Sequence, residues 1–270
     1  MIKISDNEFR RLVVFVKRNY GINLSQKRNL IEGRLGNIVA AKGFDEFSGY
    51  LDYVFSEKGT EEIINMINKL TTNHTFFMRE SSHFDYFKQT VLPYLKTNKD
   101  SYDLRLWSAG CSSGEEAYTL AMIVDEFFEG NKEPWEKTML ATDISTNVLE
   151  KAENGIYEHS SVLKMPKSYQ EKYFVQISKD QYQVISRIRQ RIVFRKFNLM
   201  TEKFPFKKKF DVVFCRNVMI YFDKETKEAL LGKIFNCMEE GGYLFVGQAE
   251  SITRSSTGFT YVMPSIYRKV

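Results

Sequence analysis

The stretch Leu104-Arg-Leu-Trp-Ser-Ala-Gly-Cys-Ser-Ser-Gly-Glu-Glu116 decides the fold that we expect for this chain of 270 residues. It predicts a buried strand that runs into Gly110, then a tight turn, and then a helix that begins at Glu115. Glycine allows the turn and lets a ligand approach the backbone, and the N-terminus of the helix offers free N–H groups. Two glycines four residues apart depart from the Gly-x-Gly-x-x-Gly pattern of dinucleotide enzymes.

The carboxylates of Glu115 and Glu116, in the first turn of this helix, bear on the charge of the ligand. They would repel a phosphate, and they suit a ligand that carries an ammonium or sulfonium group. For each carboxylate alone, complementing the helix dipole is an equally good interpretation.

Short apolar runs on both sides of this stretch alternate with helical patterns. The runs, which are predicted strands, cover residues 104–107, 139–142, 192–197, 211–215 and 243–246. The predicted helices between them lie near residues 115–129, 146–154 and 223–240. This alternation predicts an open α/β sheet with mostly parallel strands, to which residues 260–268 add an antiparallel edge strand.

One part of the chain departs from the alternation. Residues 173–177 and 182–188 have the pattern of two short strands, with Lys179 and Asp180 between them. We therefore predict a small β-subdomain, a β-ribbon, inserted at about residues 156–195. Its turn, Gln176-Ile-Ser-Lys-Asp-Gln-Tyr182, is short and contains no glycine.

Polar residues lie at the ends of three predicted strands. Asp143 ends the second strand, where nucleotide-binding α/β folds place an acidic residue that binds ribose hydroxyls; alone, it could equally cap the next helix. Asn198 follows the third strand, and Arg216 and Asn217 come directly after the fourth. Ligands of open α/β sheets bind outside these carboxyl ends, although each of these residues alone is also typical of an ordinary loop or turn.

Residues 5–70 have the pattern of a small helical domain. In the first helix, apolar residues recur on one face: Phe9, Leu12, Val13, Val16 and Tyr20. Asp6 is the expected cap and Gly21 the expected stop. Further helices are expected over residues 25–42, 45–55 and 60–70. We therefore predict a helical N-terminal domain at 1–72, a linker with a helix at 73–100, and a sheet domain at 101–270.

Composition excludes several classes of protein. With 43% hydrophobic and 27% charged residues, the chain has the composition of a globular protein, neither disordered nor fibrous. No apolar run reaches the roughly 18–20 residues of a membrane span, and the N-terminus lacks the apolar core of a signal peptide, so we expect no membrane insertion and no export. Three cysteines, Cys111, Cys215 and Cys237, exclude a disulfide framework and suit the reducing cytoplasm. The three histidines form no metal-binding pattern, so we expect no catalytic metal.

The net charge of +5 conceals an uneven distribution. Residues 1–42 carry nine Lys or Arg against three Asp or Glu, and residues 151–209 carry fourteen against five. Residues 43–70 carry two against six. Two basic regions in a chain that is elsewhere acidic or balanced indicate an acidic partner, which is a nucleic acid, a membrane surface or an acidic protein.

Taken together, the motifs of the chain resemble those of one family, the CheR-type chemotaxis receptor methyltransferases. The resemblance rests on Thr72-Asn-His-Thr-Phe-Phe-Met-Arg-Glu80, Trp107-Ser-Ala-Gly-Cys-Ser-Ser-Gly-Glu-Glu116, Thr142-Asp-Ile-Ser145, Phe214-Cys-Arg-Asn-Val-Met-Ile-Tyr-Phe-Asp223 and residues 242–251 with their Gly-Gln-Ala-Glu-Ser. It covers nearly the whole chain, and the motif at residues 214–223 is long and specific.

This resemblance implies a Rossmann-like class I methyltransferase domain with an inserted β-subdomain, preceded by a small all-helical domain that recognises the receptor. It implies an S-adenosylmethionine-dependent O-methyltransferase that forms γ-methyl esters on receptor glutamates, with S-adenosylhomocysteine as the product. The linker at 73–100 then contributes to the cofactor site. The cofactor contacts of the family fall on Asn73, Thr75, Arg79, Glu115, Asp143, Asn198, Leu199, Arg216 and Asn217.

The implied reaction is an in-line displacement at the methyl carbon of a sulfonium. A glutamate carboxylate has a reference pKa of about 4.3 and is ionised at neutral pH, so no general base is required. Catalysis then depends on alignment and on excluding water, and the catalytic candidates, Arg79 and Tyr221, act by positioning. Arg79 is the natural partner of either the methionine carboxylate or the substrate carboxylate. Tyr221 either orients the substrate carboxylate or is a core aromatic residue.

In this family the basic N-terminal domain acquires a target, because receptor methylation helices are rich in glutamate. Seven residues are candidates for facing these acidic helices: Arg10, Arg11, Lys17, Arg18, Lys27, Arg28 and Arg34. Some members grip a receptor pentapeptide with a glycine-containing loop of the β-subdomain; without that glycine, we expect a pentapeptide-independent enzyme, and we expect a monomer.

Two alternatives stay open at the level of sequence. The first is an RNA methyltransferase that uses the same cofactor, which the basic regions permit, although no RNA-binding module is recognisable and we expect no nucleic-acid partner. The second is a regulatory module that binds the cofactor without turnover, although all the positions that match the cofactor contacts of the family are intact.

Overall fold

The computed structural model of the chain describes residues 2–71, 74–99, 101–252 and 258–270. The chain forms two compact units: the first comprises Met1–His74 and Tyr221–Lys227, and the second comprises Thr75–Ile220 and Glu228–Val270. The predicted domain bounds of 1–72, 73–100 and 101–270 divide the chain differently, because they leave residues 221–227 in the sheet domain. Those bounds remain a prediction.

The first unit is helical, as its periodicity predicts. Its helices are α1 (Asp6–Tyr20), α2 (Arg28–Ala41), α3 (Phe47–Val54) and α4 (Thr60–Leu70), with a 3₁₀ turn at Glu57–Gly59 before α4. All four lie within the predicted ranges, and α2 and α3 are shorter than expected. Gly21 ends α1 in the left-handed conformation, with φ at +74°.

The N-terminal cap of α1 is Ser5, so the prediction of Asp6 as the cap is wrong by one residue. The Ser5 hydroxyl accepts a hydrogen bond from the Glu8 N–H, and the Glu8 carboxylate accepts one from the Ser5 N–H at 2.8 Å. This reciprocal capping box satisfies two N–H groups at once. The other Glu8 carboxylate oxygen accepts hydrogen bonds from the N–H and the hydroxyl of Ser48 at 2.5 and 2.9 Å, which ties α1 to α3.

The segment Tyr221–Lys227 belongs to the first unit, although it lies far along the chain. Phe222 forms an antiparallel bridge with Ile22. Lys17 Nζ lies 2.6 Å from a carboxylate oxygen of Asp223. The hydrogen bond from Lys17 lowers the pKa of Asp223 to about 2, so this ion pair persists well below neutral pH.

The second unit begins with a helical segment and continues as an α/β sheet. Its helices are α5 (Ser81–Tyr86), α6 (Leu92–Asn98), α7 (Glu115–Phe127), α8 (Thr146–Asn154), α9 (His159–Val162), α10 (Lys167–Tyr173), α11 (Ser186–Arg189) and α12 (Lys224–Asn236), the last of which has residues 224–227 in the first unit. A π-helical turn at Phe87–Val91 joins α5 to α6, and a 3₁₀ turn at Met219–Tyr221 precedes α12. The strands are β1 (Asp103–Ala109), β2 (Glu136–Asp143), β3 (Ile156–Glu158), β4 (Phe174–Gln176), β5 (Gln181–Val184), β6 (Ile192–Lys196), β7 (Phe210–Cys215), β8 (Met238–Val246), β9 (Phe259–Met263) and β10 (Ile266–Lys269).

Seven strands of the described residues form one sheet in the order β6-β2-β1-β7-β8-β10-β9. Five neighbouring strands of this sheet, β6, β2, β1, β7 and β8, pair in parallel, and β1 lies between β2 and β7. The prediction of an open, mostly parallel sheet is confirmed, and the order of the strands is Rossmann-like, with its topological switch point beside β1. The single edge strand expected at residues 260–268 is instead a hairpin of β9 and β10, because a turn at Ser265, with φ at +65°, divides it.

The inserted β-subdomain is also confirmed. Its strands pair antiparallel in the order β3-β5-β4. The two predicted strands correspond to β4 and β5. No predicted strand corresponds to β3, because its three residues are too few to show a period.

The central strands are buried on both faces, as in sheets that helices cover on both sides. Every residue of β7 is buried. Trp107 of β1 is fully buried among four phenylalanine rings: Phe197, Phe204, Phe206 and Phe210. This packing fixes the central strands, and with them the loops that follow their carboxyl ends.

Gly110 ends β1 with a turn that disfavours any larger residue. Its φ is +86°, and a Cβ atom there would lie 2.4 Å from Cγ2 of Val218. Gly130, after α7, also has a positive φ, at +71°, but a Cβ atom there would meet nothing within 4 Å. The two glycines therefore share backbone strain and differ in the space around them.

We expect Gly110→Ala to destabilise the second unit by about 2–4 kcal/mol, because it adds overpacking to backbone strain. Gly130→Ala, the matched control, adds backbone strain alone and is expected to cost about 1–2 kcal/mol. Both tryptophans lie in the second unit, so urea denaturation followed by tryptophan fluorescence measures both losses. Equal losses would contradict the close contact with Val218.

Candidate active site

The loop after β1 and the end of β2 are joined by hydrogen bonds. The Gly110 N–H donates to the Thr142 carbonyl at 2.8 Å. The Ser112 N–H donates to one carboxylate oxygen of Asp143 at 2.9 Å, and the Ser145 N–H donates to the other at 3.0 Å. Asp143 therefore lies directly beside the glycine loop.

Asp143 retains acceptor capacity for a ligand. An ionised carboxylate has about four lone-pair sites, and the N–H groups of Ser112, Ile144 and Ser145 use part of them. Burial raises the pKa of Asp143, and these N–H groups oppose the increase. The N-cap residue of α8 is Ser145, two residues after Asp143. The capacity that remains suits a hydroxyl donor such as a ribose.

The two carboxylates at the start of α7 have different surroundings. Glu116 accepts hydrogen bonds from Ser108 Oγ at 2.7 Å and from Arg216 Nη1 at 3.0 Å, so a cation of the protein already lies beside it. Glu115 accepts a hydrogen bond from the neutral hydroxyl of Ser113 at 2.8 Å. Burial raises the pKa of Glu115, and the Ser113 hydrogen bond and the positive charges of Lys164 and Lys151 oppose the increase. The contact of Glu115 with a positively charged ligand remains a prediction.

Arg216 joins three segments of the second unit. Its Nη1 contacts Glu116, and its Nη2 donates to a carboxylate oxygen of Glu80 at 3.0 Å and to the carbonyl of Arg79. Only 2% of the Arg216 side chain is exposed, and its guanidinium lies 5.2 Å from the ring centroid of Phe84. The guanidinium is thus bound to protein groups, and the predicted contact of Arg216 with the cofactor remains a prediction.

Asn217 and Gln248 bring the ends of β7 and β8 to the same carboxylate. Asn217, with φ at +60°, donates from Nδ2 to one Glu80 oxygen at 3.2 Å. The Gln248 N–H donates to the other Glu80 oxygen at 3.2 Å. Together, Arg216 and these donors hold Glu80 at the carboxyl edge of the sheet.

Glu250 connects the same two strand ends through the backbone. Its buried carboxylate accepts hydrogen bonds from the N–H groups of Gly247 at 2.7 Å, Asn217 at 2.8 Å and Ile220 at 3.0 Å. Burial raises the pKa of Glu250, and these backbone N–H groups act against the increase. Glu250 therefore shapes the loop that carries Asn217.

The remaining predicted site residues have varied environments. Asn198 follows β6 and accepts a hydrogen bond at Oδ1 from the Met200 N–H at 2.9 Å. Leu199 is buried, and its carbonyl accepts a hydrogen bond from Lys233 Nζ at 2.7 Å. Thr75 is half-buried. Their contacts with a cofactor remain predictions.

Two further predictions fall outside this cluster. Asn73 lies outside the described residues. Tyr221 belongs to the first unit, where its carbonyl accepts a hydrogen bond from the Asn23 N–H at 2.8 Å. The role of Tyr221 with the substrate therefore stays a prediction.

Three residues of this network were not among the predicted site residues, namely Glu80, Gln248 and Glu250. The strand-end rule that selected Arg216 and Asn217 would also have selected Gln248, which follows β8 directly. No periodicity or spacing marks Glu80, because its partners lie more than 130 positions away in sequence.

The cysteines, the candidate metal ligands and the hydropathy of the helices bear on other possible functions. The three cysteines are free and buried, and burial raises the pKa of Cys111 and Cys215 and raises that of Cys237 to about 12, so all three are suited to packing. Among the described residues, no group of His, Cys, Asp and Glu could hold a metal ion. No helix in the described part of the chain has the length and apolarity of a membrane span.

The sheet order, the glycine loop after β1 and the acidic end of β2 define a class I methyltransferase that binds S-adenosylmethionine. A family model described as "CheR methyltransferase, SAM binding domain" matches residues 73–267, and one described as "CheR methyltransferase, all-alpha domain" matches residues 7–71. The chain belongs to the CheR methyltransferase family.

Several relatives are similar over nearly their whole length. The chain is 43% identical to the chemotaxis protein methyltransferase of Borreliella burgdorferi, with 99% of this chain and 96% of the relative covered. It is 32% identical to the chemotaxis protein methyltransferase of Escherichia coli, with 98% and 92% covered. A solved structure, the glycopeptide N-methyltransferase MtfA with S-adenosylmethionine, has a TM-score of 0.33 and 14% identity over 59% of this chain and 53% of that chain, which is too low to add weight.

His83 is buried beside the charged network. Its Nδ1 lies 3.4 Å from a Glu80 carboxylate oxygen, and its ring contacts that of Phe245. Burial, together with the charge of Arg216, lowers the pKa of His83 to about 4. His83 is therefore neutral at neutral pH.

This depressed pKa predicts a pH-dependent stability. Unfolded histidine has a pKa of about 6.5, so the unfolded state binds more protons between pH 4 and 6.5. The contribution of His83 is present above pH 6.5 and is lost as the pH falls towards 4. We expect His83→Gln to reduce the fall in melting temperature over this range, whereas the control His159→Gln, at an exposed site, leaves it unchanged. If the melting temperature of His83→Gln fell with pH as steeply as that of the wild type, this result would contradict the burial of a neutral imidazole.

Proposed function

We propose that this protein is an S-adenosylmethionine-dependent O-methyltransferase that forms γ-methyl esters on glutamates of chemotaxis receptors. The observation that carries the proposal is the similarity, at 43% identity over 99% of the chain, to a protein named chemotaxis protein methyltransferase. The proposal includes a monomeric enzyme that acts in the cytoplasm.

The residues at the carboxyl edge of the sheet fit the cofactor chemically. Asp143 offers a half-buried carboxylate with acceptor capacity for ribose hydroxyls, and Glu115 offers a buried one for a cationic group. Two further contacts are assigned to Asn198 and Leu199, at the end of β6, by the family resemblance. When bound, the cofactor supplies a methyl group activated by a sulfonium.

The chain's own residues need only orient the reacting groups and exclude water. The receptor glutamate, with a reference pKa of about 4.3, is already a nucleophile at neutral pH, so no proton has to be removed. Arg79 is assigned to a carboxylate, either that of the methionine portion or that of the substrate, and Tyr221 to orienting the substrate. The in-line displacement then depends on alignment and exclusion of water.

The contacts of the first unit narrow the set of residues available to an acidic receptor helix. Of the seven basic candidates, four bind groups of their own unit: Arg11 to Asp52, Lys17 to Asp223, Arg28 to Asp6 and the Ile4 carbonyl, and Arg34 to the Lys69 and Thr71 carbonyls. The remaining three, Arg10, Arg18 and Lys27, are exposed. We propose these three as the main basic contacts with receptor helices.

The turn of the inserted β-subdomain supports a pentapeptide-independent enzyme. Residues 177–180 connect β4 to β5 without a glycine, and the Ile177 N–H donates to the Gln181 carbonyl at 3.0 Å. A tight complex with a receptor C-terminal pentapeptide, measured by calorimetry, would overturn this part of the proposal.

Release of methanol tests the reaction itself. We expect the protein, with methyl-labelled S-adenosylmethionine and receptor-containing membranes, to produce protein-bound label that mild base converts into volatile methanol. Base-labile methanol marks a glutamyl ester, which neither an RNA methyltransferase nor a module without turnover produces. Labelled RNA in place of methanol, or cofactor binding with no labelled product, would contradict the proposal.

Charge reversal tests the receptor surface. The triple variant Arg10→Glu/Arg18→Glu/Lys27→Glu is expected to raise the KM for receptor about tenfold, because like charges oppose association. The dissociation constant of S-adenosylhomocysteine, measured by calorimetry, is expected to stay unchanged.

A matched control makes an equal change of charge elsewhere. Lys203, Lys207 and Lys209 are exposed and lie in the segment of the second unit that precedes β7. Their reversal to glutamate is expected to leave the KM within about twofold of the wild type, since surface charges away from a contact contribute little. Equal effects of the two triple variants would rule out a specific role for the first unit.

A further inference from the structure

The backbone that carries Arg79 has an unusual conformation. Met78 and Glu80 both lie in the left-handed region, with φ at +59° and +56°, although neither is a glycine. Such conformations are strained and persist where the surrounding structure holds them. Arg79, between them, donates its N–H to the Phe76 carbonyl at 3.3 Å. The segment therefore needs a restraint from outside itself.

Glu80 and Arg216 supply this restraint. Arg216 Nη2 donates both to a Glu80 carboxylate oxygen, at 3.0 Å, and to the carbonyl of Arg79. Asn217 Nδ2 and the Gln248 N–H each donate to Glu80 at 3.2 Å. One side chain of the segment and one of its carbonyls are thus bound to the ends of β7 and β8.

The restraint is itself anchored in the sheet. The opposite nitrogen of Arg216, Nη1, binds Glu116 at 3.0 Å, and Glu116 in turn accepts from Ser108 Oγ on β1 at 2.7 Å. The side chains of Arg216, Glu80 and Glu116 are 2%, 13% and 15% exposed, so solvent screens their attraction only weakly. The order of contacts is therefore β1, α7, β7 and then the segment with Arg79.

We propose that Glu80 and Arg216 form a clamp that positions Arg79 for methyl transfer, with Glu116 as its anchor. Glu80 is a positioning residue, because its own carboxylate is bound by Arg216, Asn217 and Gln248 and acts through the backbone of its neighbour. The role of Arg79 in methyl transfer rests on the proposed function; the clamp on its backbone is a separate claim that can be tested without turnover.

Limited trypsin digestion tests the clamp directly. Trypsin cleaves after Arg79 only when residues around that bond leave their fixed turn. Arg216→Lys keeps a positive charge and leaves the sequence around Arg79 unaltered, but lysine lacks the planar fork that reaches two carboxylates and a carbonyl at once. We expect cleavage after Arg79, followed by mass spectrometry, to become at least about tenfold faster in this variant.

Two further variants serve as a control for this test and as a substitute if Arg216→Lys does not fold. Arg191→Lys is the matched control, since Arg191 also binds a carboxylate, that of Asp125 at 2.6 Å, and is expected to leave cleavage after Arg79 at the wild-type rate. If Arg216→Lys does not fold, Glu116→Gln loosens the same guanidinium from its anchored end and is expected to accelerate the same cleavage. Wild-type cleavage rates in a folded Arg216→Lys or Glu116→Gln protein would overturn the clamp.

A double-mutant cycle tests whether Glu80 acts through Arg79. Glu80→Gln is expected to reduce kcat/KM by about 10- to 100-fold, because a misplacement of about 1 Å has effects of this size. In the background of Arg79→Ala, the same change is expected to have less than about a twofold further effect. Equal losses in both backgrounds would show that Glu80 acts on its own and would overturn the positioning role.

The outcomes separate the clamp from the proposed function. Absence of glutamyl ester with the wild-type protein refutes the proposed function, and the trypsin experiment still decides whether the clamp exists. An active enzyme whose Arg79 bond is equally protected in every folded variant refutes the clamp and leaves the proposed function standing.

Discussion

Arg216 shares one buried guanidinium between two carboxylates, and the arrangement of the candidate site depends on that shared charge. A buried arginine without partners destabilises the folded state. Three segments therefore have to meet around Arg216: the end of β7, the first turn of α7 and the segment before α5. Glu80 and Glu116 are therefore more than local ion pairs. By binding the buried guanidinium, they hold together three segments that are distant in sequence.

The carboxylates at the carboxyl edge of the sheet are not equivalent, and their differences define what the edge can bind. Glu80 and Glu116 share the single positive charge of Arg216, and Glu250 is bound by backbone N–H groups. Glu115 is bound by a neutral hydroxyl and has its pKa raised by burial. A cationic group beside Glu115 and a hydroxyl group on Asp143 are therefore the ligand contacts that we propose for this edge.

Sequence reasoning succeeded where the physics is local or periodic. The parallel strands, the helices of the first unit and the polar strand ends at Asp143 and Arg216 follow from hydrophobic period and from the binding edge of open sheets. It failed where a residue's role depends on a partner distant in the chain: Glu80 is defined by Arg216, which is 136 positions away. It also missed short-range detail, such as the Ser265 turn that divides the last strand, because one left-handed residue leaves little trace in an apolar pattern.

The segment Tyr221–Lys227 makes the helical unit discontinuous, and this has a consequence for the order of events during synthesis. The helices α1 to α4 leave the ribosome first, but Ile22 has no bridging partner until Phe222 has been made. By then β1, β2, β6 and β7 have all been synthesised. Domains generally fold as they emerge, from the N-terminus onward. Here the first unit is completed only after the central strands of the second unit have been synthesised.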